Sequence, residues 1–103
     1  MVNILKKADQ IVNERAEEKE RMYGPFDECM TRATDIYNAM SPATEQISVD
    51  GMYRAMIAMK FSREAYHHKE DNLLDAAAYI GAYNNRRESE LANTLMDPSI
   101  QPL

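Results

Sequence analysis

The sequence predicts an all-α protein: a bundle of four helices, mostly antiparallel. Three observations lead there. Apolar residues recur at three-four spacing through four stretches separated by short breakers. Three Gly and four Pro in 103 residues are too few for a turn-rich all-β fold. A chain that is 45% hydrophobic and 28% charged, with mean hydropathy −0.59, has neither the composition of a disordered tail nor that of a membrane protein.

The first helix is expected over residues 3–22, where Ile4, Ala8, Ile11, Val12 and Met22 share a face. Tyr23-Gly24-Pro25 ends it, because Gly suits a left-handed cap and Pro25 suits the first turn of a following helix. The second helix is expected over residues 25–40. Its stripe is Phe26, Cys29, Ala33, Ile36 and Met40, widened by Met30 and Tyr37, and Ser41-Pro42 stops it. Residues 43–47 are polar and read as a loop. The third helix is expected over residues 49–66, with Ser48 as its N-cap and Val49, Met52, Tyr53, Met56 and Met59 as its apolar side. After a polar stretch from His67 to Glu70, the fourth helix runs from Asp71, or a neighbour that caps it, to Leu91 or beyond. Ala76, Ala77, Ala78, Gly81 and Ala82 let another helix approach it closely. Residues 1–96 form one domain on this reading, and 97–103, with two prolines and no periodicity, form a loosely held tail.

The net charge of −5 gives no global attraction for nucleic acid or for an anionic membrane. No apolar run is long enough to span a bilayer. Cys29, the single cysteine, excludes an intramolecular disulfide framework and a Cys-based zinc site, so a reducing cytoplasm is the expected compartment and Cys29 a core residue. The sequence contains no Gly-rich phosphate loop. His67-His68 is a poor chelate, because adjacent helical residues point about 100° apart.

Charges that fall on apolar faces are the candidates for chemistry. Arg15 lies in line with Ile4, Ala8 and Ile11. Lys60, Arg63 and His67 continue the stripe of Val49, Met52, Met56 and Met59. Asp71 and Asp75 stand one turn apart on the fourth helix. A buried charge needs a counter-charge or a wet pocket. One reading is a salt-bridge network in which Lys60 and Arg63 meet Asp71 and Asp75. The other is a polar pocket: Arg15, Lys60 and Arg63 hold phosphate, Asp71 and Asp75 hold a divalent cation such as Mg²⁺ or a sugar hydroxyl, and Tyr23 or Tyr79 covers a base. The fourth helix, apolar on almost every side from Leu73 to Tyr83, sits at the centre of the bundle or in a homo-oligomer interface, most simply a dimer.

The segments ILKKADQIVNER, YGPFDECM and MYRAMIAMKFSREAYHHKEDNLLDAAAYIGAY resemble a small phage and prophage family of unknown function. On that resemblance Arg15, Tyr23, Gly24, Lys60, Arg63, Asp71, Asp75 and Tyr79 are its signature positions, with Ala78 where a Gly is usual. The family is distantly similar to MazG-like nucleoside triphosphate pyrophosphohydrolases, whose E-x-x-E and E-x-x-D motifs hold Mg²⁺. In this chain Asn72 stands at the Glu position and Asp75 at the Asp position, and Asp27, Glu28 and Asp35 do not make E-x-x-E. The functional expectation is a phage-type protein of the host cytoplasm that binds a nucleotide or other phosphorylated small molecule, to hydrolyse or sequester it. The alternative is a small acidic helical factor that binds and inhibits a host protein.

Overall fold

The computed structural model describes residues 3–14 and 25–96. Its described residues form four α-helices and one 3-10 turn: α1 (Ile4–Asn13), α2 (Phe26–Ala39), the turn Ala43–Glu45, α3 (Val49–Tyr66) and α4 (Glu70–Met96). The fold is the expected all-α bundle of four helices. No helix among the described residues is long and apolar enough to cross a membrane.

Local chemistry sets the helix ends. Asn3 Oδ1 accepts the Lys6 N–H at 3.1 Å and opens α1. Ser48 Oγ accepts the Gly51 N–H at 3.0 Å and opens α3, as its place before the apolar run predicts. Pro25 sits just outside α2, and Asp27 and Glu28 favour the positive end of that helix. The connection from α2 to α3 is tied at both ends. Asn38 donates to the Ile47 carbonyl at 2.9 Å and accepts the Ile47 N–H at 2.9 Å. Gln46 Nε2 donates to the Asn38 carbonyl at 2.9 Å. A stretch expected as plain loop therefore holds an ordered 3-10 turn.

The spine is α4, which packs on each of the other three helices. Lys60 meets Asp75, Arg54 meets Tyr83 and Asp50 meets Arg87, so α3 and α4 run antiparallel. The pairs Phe26–Tyr53 and Asn38–Ile47 make α2 and α3 antiparallel as well. Lys7 with Glu70, Val12 beside Gly81 and Asn13 with Asn85 show α1 running parallel to α4.

The core is small. Met30, Tyr53 and Ala82 form its buried cluster, and Val12, Phe26, Val49, Met52, Met56, Tyr79 and Tyr83 pack around it. The aromatic rings order this shell: Tyr79 meets Phe26 edge-on at 5.2 Å, and Tyr83 meets Tyr53 edge-on at 5.6 Å. Ala76, Ala78 and Ala82 are buried by the chain's own helices, so the small-residue side of α4 is used inside the bundle.

Three sequence expectations need correction. Helix α1 stops at Asn13, with Glu14 closing it through a bond to the Gln10 carbonyl; Met22, Tyr23 and Gly24 lie outside the described residues, as does the tail 97–103. The buried side of α2 is Met30 and Thr34, not the line to Ile36 and Met40, which are 55% and 81% exposed. Thr34 tolerates burial because its hydroxyl donates to the Met30 carbonyl at 2.8 Å. The methionine stripe of α3 leaves the core at Met59, which is exposed, and Cys29 is half-buried at the rim.

Candidate functional site

Glu64 organises the turn from α3 to α4. Its carboxylate accepts the Lys69 N–H at 3.1 Å and the Asn72 side-chain amide at 3.4 Å, and it pairs with the His68 ring. The hydrogen bond with His68, helped by the Lys69 N–H, holds the Glu64 carboxyl below its usual range. His67 closes α3 in an extended conformation, its N–H bonded to the Arg63 carbonyl at 3.0 Å. These ties shape a cleft of about 450 Å³ lined by Ser62, Arg63, Tyr66, His67, Lys69 and Asn72. Arg63 is exposed there and forms no ion pair among the described residues. Tyr66 is 93% exposed, so its ring face is free for stacking. Fixed donors and cations beside an exposed ring can hold an anion that carries a flat group.

A pH prediction follows from Glu64. Its folded pKa is lowered, so its contribution to stability is present above the unfolded value of about 4.3 and is lost as pH falls through the folded value. Melting temperatures of the wild type and Glu64→Gln are expected to differ at neutral pH and to converge in acid.

Of the residues that sequence reasoning grouped, the structure brings Lys60 and Asp75 together and packs Tyr79 elsewhere. Lys60 Nζ lies 3.1 Å from Asp75 Oδ2, with the Lys60 side chain 14% exposed, so these two neutralise each other across α3 and α4. Asp71 is exposed. Tyr79 does not line the cleft. It packs against Phe26, and burial, then the nearby Asp75, push its phenol upward. Arg15 and Tyr23 lie outside the described residues. Among the described residues no group of three or more His, Cys, Asp or Glu is placed to hold a metal ion.

A second polar cluster was missed. Arg86 of α4 reaches carboxylates on three helices: Asp27 at 2.9 Å, Glu90 at 3.0 Å and Asp50 at 3.5 Å. Arg87 takes the other oxygen of Asp50 at 3.0 Å. The contact between Arg86 Nε and Asp50 Oδ1 is a charge attraction without hydrogen-bond alignment, and both atoms are out of solvent. Burial alone lowers the Arg86 pKa, but Asp27, Glu90 and Asp50 outweigh it and raise it. Tyr53 donates to Asp27 at 2.7 Å, and its burial, with that bond, pushes the phenol far above its ordinary range. The cluster sets two guanidinium groups among three carboxylates and joins α2, α3 and α4, which is a structural role.

A family model described as Domain of unknown function (DUF6378) matches residues 3–87. The chain belongs to that family. The DUF6378 match spans all three of α1, α2 and α3 and most of α4, including the cleft at the α3–α4 turn and Arg86. Comparison with curated proteins and with solved structures returned no match.

Proposed function

We propose that this DUF6378 chain binds a nucleotide or another phosphorylated small molecule at the turn between α3 and α4. Arg63 and Lys69 hold phosphate, Asn72 adds a hydrogen-bonding amide, and Tyr66 offers its ring to the base. The observation that carries this reading is the state of Arg63. Of the two cations that continue the α3 stripe, Lys60 is spent on Asp75, while Arg63 faces a cleft and has no carboxylate partner among the described residues. Charge-assisted bonds to phosphate supply a local attraction that a chain of net charge −5 lacks overall. The resemblance to phage proteins and to MazG-like pyrophosphohydrolases belongs to the same proposal, with the host cytoplasm as compartment. Magnesium enters it as an ion carried by the ligand's phosphates.

The test is calorimetry against nucleoside mono-, di- and triphosphates and cyclic nucleotides, with and without Mg²⁺. Arg63→Ala is expected to weaken binding about tenfold or more, the loss of one charge-assisted contact, with the melting temperature unchanged. Phosphate release in the same samples separates hydrolysis from sequestration. If no member of the panel binds, or if Arg63→Ala changes only the melting temperature, the reading fails. The second reading, an acidic factor that inhibits a host protein, then leads. It is favoured by the exposed Ile36, Tyr37 and Met40 at the end of α2.

A further inference from the structure

We propose that the cleft at the α3–α4 turn takes up a proton together with its anion, and that the ring of His67 holds that proton. The inference rests on the reading of the cleft given above and names what regulates its affinity.

The two adjacent histidines part ways in the structure. His68 pairs its ring with Glu64. His67 lines the cleft together with Arg63 and Lys69. Its backbone is fixed on both sides: the N–H donates to the Arg63 carbonyl at 3.0 Å, and the carbonyl accepts the Asn72 amide at 3.4 Å. The residue is exposed, and its ring forms no hydrogen bond or ion pair among the described residues. The backbone ties therefore hold a titratable ring at the cleft wall, and charging that ring breaks none of them.

The charges around the turn leave the anion as the ring's partner. On α3, Arg63 is a cation, while Glu64 is engaged by His68, the Lys69 N–H and the Asn72 amide. At the start of α4, Glu70 pairs with Lys7 of α1 at 3.4 Å. Asp71 is exposed and is not part of the cleft wall. None of the residues that line the cleft is an acid. A protonated His67 stands there with two cations and no lining carboxylate, a state that a bound anion stabilises. Linkage makes the effect reciprocal: an anion that favours the imidazolium is itself bound more tightly by the protonated form, by the same factor. Histidine is the side chain that ordinarily changes charge between about pH 5 and 8, whereas arginine and lysine ordinarily keep theirs.

The test is calorimetry with sulfate and with a cyclic nucleotide, at about pH 8 and about pH 5.5. Both anions keep a constant charge over that interval, unlike a phosphomonoester, which gains a proton at about pH 6. Wild type is expected to bind about three- to fivefold more tightly at the lower pH, the upper range for one added charge at an exposed site. His67→Gln should abolish that gain, and His68→Gln should keep it. Imidazole NMR of the wild type is the second readout. The His67 titration midpoint should rise with whichever anion of the nucleotide panel binds, and more than the His68 midpoint does. A gain that is absent, that survives His67→Gln, or that is lost to His68→Gln alone would overturn the proton linkage and leave the anion cleft standing. An unmoved His67 midpoint overturns it as well. Failure of sulfate and of the whole nucleotide panel to bind at both pH values overturns the cleft reading and this inference together. Circular dichroism checks that the variants fold; where His67→Gln does not, the NMR shift in the wild type decides.

Discussion

Tyr53→Ala is expected to cost about 3–5 kcal/mol, the range for deleting a buried aromatic side chain. Domains of this size have about 5–15 kcal/mol in total, so the variant should be close to its unfolding threshold at ordinary temperatures. The reason is the narrowness of the core. Tyr53 has no exposed surface, and its ring is stacked near Phe26 and met edge-on by Tyr83. Its removal opens a cavity between α2, α3 and α4 that the neighbouring alanine, Ala82, cannot fill. Tyr53→Phe separates the ring from the hydroxyl. It keeps the packing and leaves Asp27 without one donor, so a loss of about 1 kcal/mol is expected. Denaturant melts of both variants give the two terms, and a Tyr53→Ala cost below the Tyr53→Phe cost would contradict the packing account.

Arg86→Met is expected to cost about 2–4 kcal/mol. The change removes the shared cation from Asp27, Asp50 and Glu90, and carboxylates on three helices then repel each other. The estimate lies below that for a fully buried pair, because Asp27 and Glu90 are about half exposed and partly screened by water. Arg86→Lys should rescue little. Nε, Nη1 and Nη2 each address a different carboxylate, and one ammonium cannot span those directions. Chemical denaturation in urea, which preserves the electrostatics, checks the size. Salt should narrow the gap between variant and wild type by screening the repulsion among the three acids.

The helices were legible because their signals are local. Ser48 before an apolar run, Pro42 after another, and the three-four spacing of Val49, Met52 and Met56 each act within a few residues. The pairing of Lys60 with Asp75 was legible too, since each charge interrupts an apolar face and only a counter-charge makes that tolerable. Other features depend on how helices cross. Ile36 and Met40 are more apolar than Thr34, yet Thr34 is buried, because it stands one turn after Met30 on the face turned into the bundle and burial follows contact. The Arg86 cluster left no trace in any one helix. Its acids lie 59 and 36 positions upstream and 4 downstream, and only the bundle brings them together. The cleft was half legible. Arg63 was identified from its place on the α3 stripe, whereas Lys69 and Asn72 reach it through a turn that Glu64 holds, and no periodicity reports a turn.

The parallel docking of α1 on α4 has a consequence for the order of assembly. Its side-chain bonds join residues 63 and 72 positions apart, whereas α3 and α4 follow each other directly and already meet at Lys60 and Asp75. Closing so long a loop costs entropy before any contact repays it. The α3–α4 pair is therefore expected to form before α1 docks on α4. The long closure between α1 and α4 thus bears on how fast the bundle assembles more than on how stable it is once assembled.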